Sequence, residues 1–127
     1  MPLRIALLIG GIVGFAAFLV TGLYMARHFP GAYASGAEIR YMYRANHVYL
    51  LLASLVNIAL GCYWPGARPG WRGKLALVGA WLVLAALLVL LAAFFVEPPH
   101  GSPERGMTFL GVLLTLLGVA AQLPSRG

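Results

Sequence analysis

Charge is scarce in this 127-residue chain: Lys, Arg, Asp and Glu make up 9% of it, against 61% hydrophobic residues. A soluble domain is charged at roughly a quarter of its positions, so this composition excludes an ordinary water-covered globule. Acids are scarcer still, only Glu38, Glu97 and Glu104, and none lies inside an apolar run. Proton-coupled transport needs a titratable group along its path, and that absence argues against it. Cys62 is the only cysteine, which excludes an intrachain disulfide and a thiolate metal cluster. The spacings HxH, HxxxH and MxxM are missing, and no catalytic motif is present. The net charge of +6 comes without an aromatic-interleaved basic surface, so nucleic acid is not an expected partner.

What the chain does have is long apolar runs and a mean hydropathy of +0.88. They cover Ile5 to Ala26, Ala45 to Trp64, Leu75 to Val96 and Met107 to Leu123. A bilayer-spanning helix needs about 20 residues. The first three runs meet that length and the fourth lies at its short end. The expected fold is therefore an all-α integral membrane protein. It is a single four-transmembrane-helix bundle over residues 1–127, up-down-up-down with short loops, and the lipid bilayer is its first partner. The first run is too long for the apolar core of a leader, and Arg27 and His28 follow it directly, so it reads as an uncleaved span.

Breakers punctuate the runs. Pro30-Gly31 is expected to stop the first helix. Ser35 and Glu38 have capping-box spacing, so the second helix should begin near residue 36, outside its apolar part. Trp64-Pro65-Gly66 and Glu97-Pro98-Pro99 close the second and third helices, and Ser102-Pro103-Glu104 caps the fourth. The second connection should share one side with the termini, and that side holds Arg4, Arg68, Arg72, Lys74 and Arg126. The other holds Arg27, Arg40, Arg44 and Arg105. The positive-inside rule then favours both termini in the cytoplasm, with a bacterial inner membrane as the expected location.

Small residues mark the packing faces, because helices in lipid associate through close backbone approach. Gly10, Gly14, Ala17 and Thr21 form a stripe on the first helix. Thr108, Gly111, Thr115, Gly118 and Gln122 form another on the fourth. On the second helix Tyr43, His47, Leu50, Ser54, Asn57 and Gly61 share a sector that should point inward. Asn57, Ser54, Thr21, Thr115 and Gln122 are the expected helix-to-helix polar contacts.

Histidine, methionine and acid gather toward one side. His47, Met42, Met25 and Glu97 are the candidate metal ligands, since His with Met suits copper and His with Glu suits zinc. His47, Arg44, His28 and His100 are the candidate cofactor-binding residues, for haem iron or a quinone head. Three readings follow. The first is a non-catalytic membrane component, a homo-oligomer or an accessory subunit of a larger complex. The second is a redox, metal, haem or quinone-binding membrane protein using that cluster. The third is a small oligomeric passive channel or transporter.

Overall fold

The structure, a computed structural model, describes residues 2–32, 37–64, 68–100 and 106–126, with side chains at 3–27, 41, 43–64, 68–95 and 106–124. It is all-helical: α1 Pro2–Ala32, α2 Ala37–Cys62, α3 Gly70–His100, α4 Gly106–Ala120 and a single turn, α5, Leu123–Arg126. Three helices are long and apolar enough to cross a membrane, through Leu3–Arg27, Tyr43–Cys62 and Gly70–Phe95. The fourth has 15 residues, about 22 Å at the helical rise, against a hydrocarbon core of about 30 Å.

The breakers act later than their positions suggest. α1 continues through Pro30 to Ala32, and α3 runs through Pro98 and Pro99 to His100. A proline removes one amide and crowds the preceding turn, so near a helix end it ends propagation without unwinding what precedes it. α3 also begins at Gly70 rather than Leu75, and Gly70 takes the left-handed φ of 86° that only glycine adopts freely. The Ser35 and Ser102 caps lie outside the described residues. α4 stops at Ala120, where the Gln122 amide bonds back to the Val119 carbonyl and tightens the last turn.

Contacts between successive helices fall at opposed numbers. Thr21 meets His47, while nearer the other end of the pair a side chain at Gly61 would strike Leu8. Asn46 reaches Ala93 and Asn57 reaches Val83. Gln122 reaches Ala76, and Gly111 lies against Leu90. α3 is the central helix. Its buried residues Ala80 and Val83 pack with Leu7 and Leu60, Leu87 and Leu90 with Leu50 and Ala53, and Phe94 with Tyr43.

The inward face of α1 is Leu7, Gly11, Gly14, Phe18, Thr21 and Met25, a seam of alternating four- and three-residue steps. That spacing keeps one face on a neighbour along a left-handed crossing. The stripe read from the sequence began at Gly10, and here the structure corrects it: Gly11 is buried and Gly10 only half-buried. A side chain at Gly10 would meet mainly the movable tip of Leu84, whereas one at Gly11 would strike the backbone of Ser54 and Ile58. Gly14 lies against Ser54 and Leu87, and Gly118 against the backbone of Gly79 and Val83.

The polarity is inverted relative to a water-soluble bundle. Ile5, Ile9, Ile12, Val13, Leu88 and Leu116 face outward, while Thr21, Asn46, Ser54, Asn57, Thr108, Thr115 and Gln122 are buried.

Candidate functional site

His47 sits on the second turn of the apolar part of α2, half-buried against α1. Its ring stacks on Phe18, with centroids 4.0 Å apart and planes at 17°. Its Nδ1 lies 3.0 Å from Thr21 Oγ1, and that oxygen lies 2.9 Å from the Phe18 carbonyl. The two short contacts need two hydrogens. The carbonyl has none and the threonine hydroxyl has one, which it donates to the carbonyl. In the Nδ1–H tautomer His47 supplies the other, donating to Thr21 Oγ1. That form leaves a lone pair on Nε2. The Cε1–Nε2 edge of the ring runs past Gly22, where a Cβ would come within 3.1 Å of Cε1 and 3.4 Å of Nε2. Among the described residues Nε2 has no hydrogen-bond partner.

This is the arrangement that a ligating imidazole needs, because a bond from the far nitrogen fixes the tautomer and the ring direction. Nitrogen NMR on labelled protein should show a neutral His47 with Nδ1 protonated and Nε2 bare. Thr21→Val should turn this into a mixture of tautomers. A dominant Nε2–H form in the unmutated protein would refute the assignment.

Of the other residues singled out from the sequence, the structure describes the side chains of Arg44 and Met25. Arg44 is exposed, about one turn before it on α2. Met25 packs against the Tyr43–Phe94 pair instead. The side chains of His28, Met42, Glu97 and His100 lie outside the described residues. The motif reading of the sequence counted Glu-x-x-His as absent and is corrected here: Glu97 and His100 have that spacing, used by some helical metal sites, on the last turn of α3. Among the described residues no group of three or more His, Cys, Asp or Glu is placed to hold a metal ion.

The buried polar residues divide into two kinds. Ser54 donates to the Leu50 carbonyl and Thr115 to the Gly111 carbonyl, each on its own helix. These two back-bond locally rather than joining helices as the sequence suggested. Gln122 does cross, donating to the Ala76 carbonyl at 2.8 Å. Asn57 donates to the Ala53 carbonyl of its own helix at 2.8 Å and across to the Val83 carbonyl at 3.3 Å. Its Oδ1 is buried and finds no donor among the described residues.

One polar junction was not singled out from the sequence. Asn46, fully buried, donates to the Ala93 carbonyl at 3.2 Å and accepts from Thr108 Oγ1 at 3.1 Å, so it ties α2 to both α3 and α4. A signal was available: Asn46 stands eleven residues before Asn57, about three turns and the same face of the helix. No protein family, curated protein or solved structure matches this chain.

Proposed function

We propose that this chain is an integral membrane protein crossing the bilayer four times, up-down-up-down. It would act without catalysis of its own, as a homo-oligomer or as an accessory subunit of a larger membrane complex. The observation that carries this reading is the inverted polarity. In water the outward Ile, Val and Leu of α1 would be a large exposed apolar patch. In lipid they are solvated, and the inward Asn, Thr and Gln find their partners inside the bundle. The connections Ala32 to Ala37, Cys62 to Gly70 and His100 to Gly106 leave little chain outside the bilayer for a soluble catalytic unit. α4 is short, and α5 with local thinning of the bilayer would complete its crossing.

The protein should stay in the membrane pellet through alkaline carbonate extraction. In a Cys62→Ser background, cysteines placed at Ala34 and Ser102 should react with an impermeant thiol reagent in intact bacterial cells. Release by carbonate would end the membrane reading, and labelling only after lysis would invert the orientation from both termini inside to both outside.

A second reading is favoured by one specific observation, that the Nε2 of His47 has no hydrogen-bond partner among the described residues. It makes a haem, metal or quinone ligand site the alternative to a purely structural component. A visible spectrum and metal analysis of the purified protein decide between the two.

A further inference from the structure

The contact between Thr21 and His47 can be made in two ways with every heavy atom in place, because a threonine hydroxyl both donates and accepts. With its hydrogen on the Phe18 carbonyl, 2.9 Å away, it accepts from His47 Nδ1 at 3.0 Å and Nε2 is bare. With its hydrogen turned to Nδ1 across the same 3.0 Å, the imidazole proton sits on Nε2 instead. The turn does not orphan the Phe18 carbonyl, which stands four residues before Gly22 inside α1 and takes that residue's amide. The two forms therefore differ by one side-chain hydrogen bond, the one from Thr21 to Phe18.

His47 Nε2 thus presents either a lone pair or a hydrogen to the same place. His47 and Gly22 are both half-buried, and Phe18 covers the face of the ring. The edge is clear because it passes a glycine: a Cβ on Gly22 would stand 3.1 Å from Cε1 and 3.4 Å from Nε2. His47 also lies within the apolar span Tyr43–Cys62, about 6 Å along the helix from its start. A ligand at that depth comes from the bilayer. It is uncharged, since charge among hydrocarbon is costly.

An imidazole whose outward nitrogen can donate or accept suits a neutral head whose oxygen can do the same. Quinones have such an oxygen, a hydroxyl in the reduced form and a carbonyl in the oxidised form. We infer that His47 Nε2 binds the head of a lipid-soluble quinone in both of these forms, with Thr21 as the positioning residue that sets the tautomer. The quinol hydroxyl donates to the bare Nε2. The quinone carbonyl accepts from Nε2–H once the Thr21 hydroxyl has turned. Quinol binds the more tightly, because it leaves the bond from Thr21 to Phe18 in place. The inference deepens the ligand-site reading of His47 and rests on it.

The experiment is nitrogen NMR on the detergent-purified full chain, labelled at histidine, with His47→Phe identifying the His47 signals. The probes are duroquinol, its dimethyl ether, duroquinone and dioctanoylglycerol. Duroquinol should move the Nε2 signal saturably, with a midpoint about tenfold below that of the dimethyl ether, the worth of one hydrogen bond. Duroquinone should shift His47 to the Nε2–H form, at several-fold higher concentration. Gly22→Ala, which favours the helix but sets a methyl beside Nε2, should weaken duroquinol binding several-fold. Thr21→Val should bring duroquinol and duroquinone close to equal midpoints, a change that loss of packing alone would not produce.

Equal midpoints for duroquinol and its dimethyl ether would overturn the inference, since nothing is then donated to Nε2. An equal response to dioctanoylglycerol would overturn it by making Nε2 an acceptor for any lipid hydroxyl. A folded Gly22→Ala variant with unchanged affinity, or a Thr21→Val variant that keeps its preference for duroquinol, would overturn it as well. If either variant fails to fold, the comparisons on the unmutated chain decide. A haem or metal on the purified protein with no response to duroquinol removes the inference and keeps the ligand-site reading. No bound group and no response removes both.

Discussion

Gly11→Leu is expected to be the most damaging single substitution in α1, lowering stability by about 3 kcal/mol or more. A Cβ at Gly11 would come within 2.8 Å of the Ile58 amide nitrogen and 2.9 Å of the Ser54 carbonyl oxygen. Those are backbone atoms of a helix, so the neighbour cannot rotate away and the two helices must separate. Overpacking a fitted site ordinarily costs about 1–3 kcal/mol. Here it would also undo the close approach on which helix pairs in lipid depend. Gly118→Leu should behave alike between α3 and α4, since a Cβ there would lie 2.6 Å from the Gly79 carbonyl oxygen. Gly10→Leu should be milder, because its nearest obstacle is the Leu84 side-chain tip at 3.0 Å. Ile9→Leu, on an outward position, should be nearly silent. Thermal unfolding in detergent followed by circular dichroism ranks the four. Equal losses at Gly10 and Gly11 would show that the seam is misplaced.

Asn46→Leu should cost about 2–4 kcal/mol, and Asn57→Leu less than about 1. The contrast runs against the simple expectation that the asparagine nearest mid-span matters most. Asn46 bonds to two other helices, at 3.2 and 3.1 Å among its contacts, and bonds of this kind in membranes contribute about 0.6–2 kcal/mol each. Removing Asn46 also takes from Thr108 an acceptor that ties α4 to α2. Asn57 makes one longer cross-helix bond, at 3.3 Å. Its orphaned Oδ1 carries a desolvation penalty of about 1–3 kcal/mol, which leucine would relieve. Gain and loss then nearly cancel. Unfolding of both variants in one detergent checks this, and a larger loss at position 57 than at 46 would refute it.

Both predictions depend on distinctions that one-dimensional pattern does not carry. A stripe of small residues identifies a helix face, but Gly10 and Gly11 are only about 100° apart on that face. Which of them touches a neighbour depends on the rotation of α1, and that is set by Leu7, Phe18 and Thr21 finding their partners. Asn46 and Asn57 likewise share a face. One meets a hydroxyl and a carbonyl while the other leaves an oxygen bare, because of where α3 and α4 happen to pass. The gathering of His47, Met25 and Arg44 toward one side was visible in the chain. Their separation into a stacked imidazole, an aromatic-packed thioether and an exposed guanidinium was not, since it follows from side-chain direction rather than depth.

By itself the sequence determined the helices, their number and rough extent, and the polar face of α2. Those follow from the length of apolar runs and the 3.6-residue period, which are local properties of the chain. Tertiary structure alone decided the α1 seam through Gly11, the Asn46–Thr108 junction and the stacking of His47 on Phe18. Each of these depends on the rotation and register of one helix against another, and close packing selects that alignment from several that the same periodic pattern allows.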